Sequence, residues 1–189
     1  MAKELIRCPW CQSSDLMKAY HDKEWGVPVH DDRKHFEFIV LDTFQAGLSW
    51  STILNKRENF RIAFDNFDYN KIAKYKEPKI QKLLADAGII RNKLKIYGTV
   101  NNAQRFIDVQ KEYGTFNEYI WQFTGHKVID NKYRNHKNVK PFTKESDAMS
   151  ADLYKRGFKF VGSTICYAYM QAAGMVNDHM VTCHRYKKV

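Results

Sequence analysis

The stretch IQKLLADAGIIRNKLKIYGTV, residues 80–100, decides the fold. It reads as helix, tight turn, helix: Leu83 and Leu84 close the first helix, and Gly88 turns the chain. Ile90, Leu94, Tyr97, Val100 and Ala103 then fall at helical spacing and stripe the second helix. The complete helix-hairpin-helix element is expected over about 78–109. Such a hairpin suits a nucleic acid backbone. The first N–H groups of the second helix lack partners, the helix dipole favours an anion there, and Arg91 and Lys93 stand beside them, so a phosphate can be held without its sequence being read. Gly88, Ile89, Ile90, Arg91 and Lys93 are therefore the expected DNA contacts of the hairpin.

Outward from the hairpin, helical periodicity dominates and alternating strand patterns are scarce, which predicts an all-α chain. Phe36, Ile39, Val40, Thr43, Phe44 and Gly47 form one apolar stripe, while Phe38, Leu41, Asp42 and Gln45 point to the other side of the same helix. A helix apolar on two sides is buried on two sides, so Asp42 and Gln45 face an internal cavity. Gly47 ends this helix and Ser49 caps the next, which runs through Ile53, Leu54, Phe60 and Phe64. On the far side, from about Gly125 to Ser146, the chain is polar, basic and aperiodic, and reads as a long loop joining two parts of the molecule, mobile in the absence of DNA. A last helix follows, with Ser163 as cap, Ile165, Tyr169, Met170 and Ala173 inside and Gly174 as its stop.

Length and charge bound the partners. The 189 residues, 44% hydrophobic, suffice for one core or two small lobes around a cleft, and a single domain over 1–189 is expected. A net charge of +10 favours a polyanion. No apolar run is long enough for a membrane span, and the opening MAKELIRCPW has no secretory leader, so a cytoplasmic monomer is expected. Four cysteines make no evident disulfide framework. Instead, Cys8, Cys11 and His21 near one end and His179, Cys183 and His184 near the other offer thiolate and imidazole ligands of the kind zinc prefers in a closed tetrahedral site. Spacing alone leaves open whether Cys8 and His21, or Cys8 and Cys11, complete a site with His179 and Cys183. Cys166, in an apolar helix, reads as core.

The runs YHDKEWGVP (20–28), QAGLSW (45–50), KRENF (56–60), AGIIR (87–91) and KRGFKFVGSTICYAYMQAAGMVNDH (155–179), with the terminal cysteine, resemble the 3-methyladenine DNA glycosylase I family over roughly Cys8 to Cys183. The resemblance implies a helix-hairpin-helix glycosylase fold of two helical lobes around a cleft, and one structural zinc ion joining the ends of the chain through Cys8, His21, His179 and Cys183, with Cys11 a bystander. It also implies excision of N3-methyladenine from double-stranded alkylated DNA in base excision repair, by a monofunctional hydrolase that leaves an abasic site.

Methylation at N3 puts a positive charge on the base and weakens its bond to the sugar. The protein then has to flip the nucleotide out, recognise the base and admit water. Asp42 would accept hydrogen bonds from the exocyclic amine and oppose the base's charge, Tyr20 would act with it in catalysis, and Trp10, Trp50 and Tyr20 would supply stacking faces. Gln45 would support that network, and Gly47 with Leu48 would form the wedge that fills the vacated space in the stack. The sequence departs from the family where better-known members carry a pocket glutamate: here stands the shorter Asp42, with Met17 a second pocket difference. An altered-specificity or non-catalytic lesion-binding relative is the alternative that this departure raises.

Overall fold

The computed structural model describes residues 5–188; Met1 to Glu4, part of the stretch read for a secretory leader, and Val189 lie outside the described residues. Helix α2 (Asp32–Gln45) runs through the centre, and every residue from His35 to Phe44 is buried, as its two apolar faces require. Asp31 caps its start by accepting from the Lys34 amide at 2.8 Å. At its end Gly47 takes φ +80°, a conformation that favours glycine, and Ser49 accepts from the Thr52 amide to open α3 (Trp50–Ala63). Against α2 pack α3, α6 (Lys93–Tyr113), α7 (Phe116–Trp121) and α9 (Ser163–Ala172). Phe36 of α2 meets Phe106 of α6 at 5.3 Å between ring centroids, and Phe106 stacks on Phe116 of α7 at 4.0 Å. Each fully buried ring of this kind contributes roughly 1.5–3 kcal/mol of apolar burial.

The other α-helices among the described residues are α1 (Asp15–Lys23), α4 (Tyr69–Ile72), α5 (Glu77–Ala85) and α8 (Lys144–Lys155). The chain is mostly helical, as expected, with a small exception: β1 (Ile129–Asp130) and β2 (Val176–Asn177) pair in parallel. The segment 125–146 is therefore not a free loop. β1 lies within it, Asn131 donates to Asp178 at 2.7 Å, and α8 starts before its end with Thr143 and Ser146 in a capping box. The cap of α9 also differs from expectation: Gly162 precedes it with no side-chain bond, and Ser163 is already helical.

The predicted hairpin forms between α5 and α6, with Asn92 accepting from the Lys95 amide at 3.1 Å to begin the second helix. Its apolar stripe is turned from the expected one. Leu94 is 72% exposed, whereas Lys95 and Ile96 point inward. The cause is electrostatic. The last carbonyls of α2 lack helical partners, and the buried Lys95 ammonium takes those of Phe44 and Ala46 at 2.9 and 2.6 Å.

The two ends of the chain meet beside α1. The backbone after α1 bonds to the end of α9 through Gly26 N to Gln171 O and Val29 N to Ala173 O. Gly174, at φ +67°, lies so close that a Cβ there would stand 2.4 Å from the backbone of Val27 and Pro28, so no larger residue fits.

Candidate active site and metal centre

Asp42 sits in the last turn of α2, three residues before its end at Gln45, and lines a cavity of about 370 Å³. Its side chain is buried, and Oδ2 has no hydrogen-bond partner among the described residues. Of the four other atoms in that condition among the described residues, two are the indole Nε1 of Trp10 and of Trp50, whose residues line the same cavity. A buried polar atom left unpaired costs about 1–3 kcal/mol. Three of them on residues around one space mark a socket whose walls carry both donors and an acceptor. Burial alone pushes the Asp42 carboxyl well above its usual range, which favours the neutral acid.

Tyr20 of α1 lines the cavity too, its ring 5.2 Å from that of Trp50 and 6.3 Å from that of Trp10. Burial first, and the Asp42 carboxylate second, hold its phenol protonated. Gln45 and Met17 complete this part of the wall, and Gly47 and Leu48 stand exposed just beyond. The structure thus brings together Asp42, Tyr20, Trp10, Trp50 and Gln45. Sequence reasoning gave no role to other parts of the lining: Trp25, Asp178 of the segment after β2, and His136 and Lys140 of the segment read as a loop. Asp178 accepts from Asn131, Tyr167 and Gln171, an arrangement spread over distant positions that no local pattern announces.

The hairpin residues divide. Arg91 and Lys93 are exposed, while the Ile89 side chain is buried, which leaves Ile89 as an anchor of the hairpin and removes its side chain from the expected contact set. Lys56 donates to the carbonyls of Ala87 and Gly88, and Asn59 to that of Gly88, each at 3.2 Å. Between them, Arg57 turns the other way, to Glu24 and Glu37. The KREN run is therefore a two-sided brace holding the hairpin to α1 and α2.

Behind the aromatic wall, Cys8, His21, His179 and Cys183 are all buried and their ligand atoms lie within 4.8 Å of one another. Cys8 Sγ and Cys183 Sγ are each 3.7 Å from His179 Nδ1, and Cys183 Sγ is 3.5 Å from His21 Nε2. The edge of a tetrahedron with zinc–sulfur and zinc–nitrogen bonds of ordinary length is about 3.6 Å. The outer nitrogens are also set: His21 Nδ1–H donates to Asp22 at 2.8 Å and His179 Nε2–H to the Trp25 carbonyl at 3.2 Å, leaving the inner nitrogens free to ligate. Gly26 permits this approach, since a Cβ there would stand 2.9 Å from His179 Nε2. Backbone amides of Met180 and Arg185 point at the two sulfurs, as they do at thiolates. The residues fit a closed tetrahedral metal site. Cys11, the rival ligand, instead turns its Sγ to the Cys8 carbonyl and stands outside the cluster. Cys166 is core, as read, with its thiol on the Val161 carbonyl.

Comparison with known proteins gives one consistent answer. The family model described as methyladenine glycosylase matches residues 10–186. The chain is 46% identical to DNA-3-methyladenine glycosylase 1 of Escherichia coli (strain K12), over 94% of this chain and 95% of that one. A crystal structure of a 3-methyladenine DNA glycosylase I superposes with a TM-score of 0.91 at 44% identity, covering 95% of this chain and 98% of its own. A variant of a 3-methyladenine DNA glycosylase I solved in complex with 3-methyladenine gives the same TM-score at 29% identity, covering 94% and 96%.

Proposed function

This chain belongs to the methyladenine glycosylase family, and from that premise we propose how its residues carry out the reaction: hydrolysis of the N-glycosidic bond of N3-methyladenine in double-stranded alkylated DNA, by a monomer that leaves an abasic site and does not cut the strand. The observation that carries this reading is the set of unpartnered buried atoms, Asp42 Oδ2 and the indole nitrogens of Trp10 and Trp50, on residues that line one cavity.

The methylated base arrives as a cation, and its charge makes it a good leaving group. Water adds to C1′ of the sugar while the bond from C1′ to N9 breaks; its electron pair goes to the ring, the base departs neutral, and the proton of the water passes to solvent. No base protonation is needed, so the burden on the protein is binding and electrostatics. Asp42 becomes ionised opposite the cationic ring and accepts from its exocyclic amine. Trp10, Tyr20 and Trp50 present their faces to the ring, a contact stronger for a cation than for neutral adenine. A normal adenine brings no charge to offset the cost of ionising Asp42, which supplies discrimination. The alternative of a non-catalytic relative is not favoured: the relatives are named as glycosylases, and Asp42 keeps a carboxylate in the socket. The test is release of free 3-methyladenine from methylated DNA by the purified protein, which should fall in Asp42→Asn and Tyr20→Phe. Undiminished release from both variants would refute the assigned roles.

The Cys8, His21, His179 and Cys183 site is proposed to hold one structural zinc ion, whose chemistry is to fix four side chains. Trp10 lies two residues after Cys8 and Tyr20 one before His21, and Trp25 stacks on His21 at 6.1 Å, so the site sets the aromatic wall. Metal analysis should find one zinc per chain in the parent and in Cys11→Ser, and none in His179→Ala, which should melt at lower temperature. Loss of metal from Cys11→Ser would overturn the ligand set.

A further inference from the structure

We propose that the segment 126–140 is a second grip on the DNA backbone, holding phosphates of the strand whose base enters the cavity, on a part of the protein separate from the helix-hairpin-helix element. The proposal rests on the functional reading above and adds a binding surface to it. Three observations carry it.

First, the segment concentrates charge. It holds Lys127, Lys132, Arg134, Lys137 and Lys140 against one acid, Asp130, a net +4 within 15 residues of a chain whose total is +10. Second, these charges are uncommitted. All five are exposed, and none is in an ion pair among the described residues, whereas Lys34, Arg57, Arg61 and Arg156 elsewhere all are. Asp130, already counted in that sum, accepts from the Tyr186 hydroxyl and the Lys132 amide and forms no ion pair with any of the five among the described residues. Third, the segment reaches the site: the exposed His136 and Lys140 line the same cavity as Asp42, Gln45 and Trp50, which puts them at its mouth. A base seated against Asp42 leaves its sugar at that mouth and its two phosphates passing over the rim, where Lys140 stands.

The segment is also held in shape. β1 pairs with β2, the Val181 amide donates to the Tyr133 carbonyl at 2.9 Å, and Asn135 accepts from the Lys137 amide at 2.9 Å to close the single turn 136–138. Cations fixed this way lose little freedom when they meet an anion. A row of exposed cations on a fixed backbone suits phosphates, whose contacts carry no sequence information.

Each phosphate neutralised on duplex DNA adds about 0.9 to the slope of log K against log salt. The experiment is fluorescence anisotropy of a labelled duplex bearing a stable abasic-site analogue, titrated at several salt concentrations. Lys132→Ala/Arg134→Ala/Lys137→Ala should weaken binding by on the order of 10²-fold at low salt and reduce the slope by about 2–3. Lys140→Ala alone should reduce it by about 1, and Lys111→Ala, in the last turn of α6, should leave it unchanged. Should the triple variant fold poorly in a thermal melt, the three single variants are read in its place, each expected to reduce the slope by about 1. A slope equal to the parent's in all of them overturns the proposal. So does loss of binding to a labelled single-stranded RNA of the same length with duplex binding intact, which would assign the row to RNA. Release of 3-methyladenine by the parent is measured in the same buffer. Its absence would refute the functional reading, while its presence with an unchanged slope refutes the grip alone.

Discussion

Helix α2 buries two carboxylates five residues apart, and their surroundings are opposite. Glu37 accepts from Arg57 at 2.8 Å, Arg61 at 2.9 Å and Lys34 at 3.0 Å. Burial pushes its pKa up, but Arg57 and Lys34 outweigh burial and hold the carboxyl below its usual range. Its neighbour in the same brace, Glu24, is pulled down to about 2 by Arg57 and Lys34 against the same opposition from burial. Asp42 has burial and nothing else, and its pKa moves the other way. A buried carboxylate surrounded by cations is a strut. One left without a partner is a cost to the fold that makes sense only when a ligand supplies the missing charge.

Breaking the strut should have the largest effect. Glu37→Gln leaves Arg57 short of a buried partner and should cost about 3–5 kcal/mol in urea unfolding. Base release by the fraction that remains folded should be nearly unchanged. Emptying the socket should do the reverse. Asp42→Asn should lower single-turnover base release by on the order of 10²-fold, while raising stability at neutral pH, because an asparagine has no ionisation to give up on folding. A less stable Asp42→Asn would mean that the carboxylate has a structural partner after all.

The same pair responds oppositely to pH, which sharpens the contrast. The contribution of Glu37 is present above its unfolded value of 4.5 and is lost as pH falls through its depressed folded pKa. Asp42 is neutral in both states below its unfolded value of 3.8; as pH rises above that, the unfolded chain ionises first and the fold loses stability until the raised folded pKa is passed. Urea midpoints between about pH 3 and pH 8 should therefore show the penalty of Glu37→Gln shrinking towards acid, and the gain of Asp42→Asn vanishing there. Parallel curves for the two variants would place both carboxylates in one class.

The socket was legible in the sequence and the strut was not, for a physical reason. Asp42 and Gln45 announce themselves because a polar pair on the second apolar face of one helix is visible at helical spacing. Glu37 takes its partners from α3 and its own helix, and nothing local distinguishes it from a solvated glutamate. The candidate metal ligands stood out by type, though their grouping needed the resemblance, since Cys11 sits at an equally suitable spacing and only the turn from Cys8 to Ser13 aims it at a carbonyl. The segment 125–146 was legible as basic but not as ordered. Its anchors, β2, Asp178 and Val181, lie some 45 residues on in the chain, where no periodicity can link them to it. Helix α8 escaped notice for a related reason: it begins in the polar end of that segment.

The smallest expected effect tests the one face of a helix that periodicity turned the wrong way. A pattern that counts every lysine as outward puts Leu94 in the stripe of α6 and Lys95 in water. The fold does the reverse, because the C-terminal carbonyls of α2 need donors and only a long cationic side chain from α6 reaches them. Lys95→Met keeps most of the apolar stem but strands those carbonyls, and should cost about 1–3 kcal/mol. It should also loosen the turn that carries Gly47 and Leu48, so that binding to duplex DNA weakens more than uptake of free 3-methyladenine. Leu94→Ala, 72% exposed, should change stability by less than about 0.5 kcal/mol. A larger loss from Leu94 than from Lys95 would show that the periodicity was right and that α6 faces the core through the leucine.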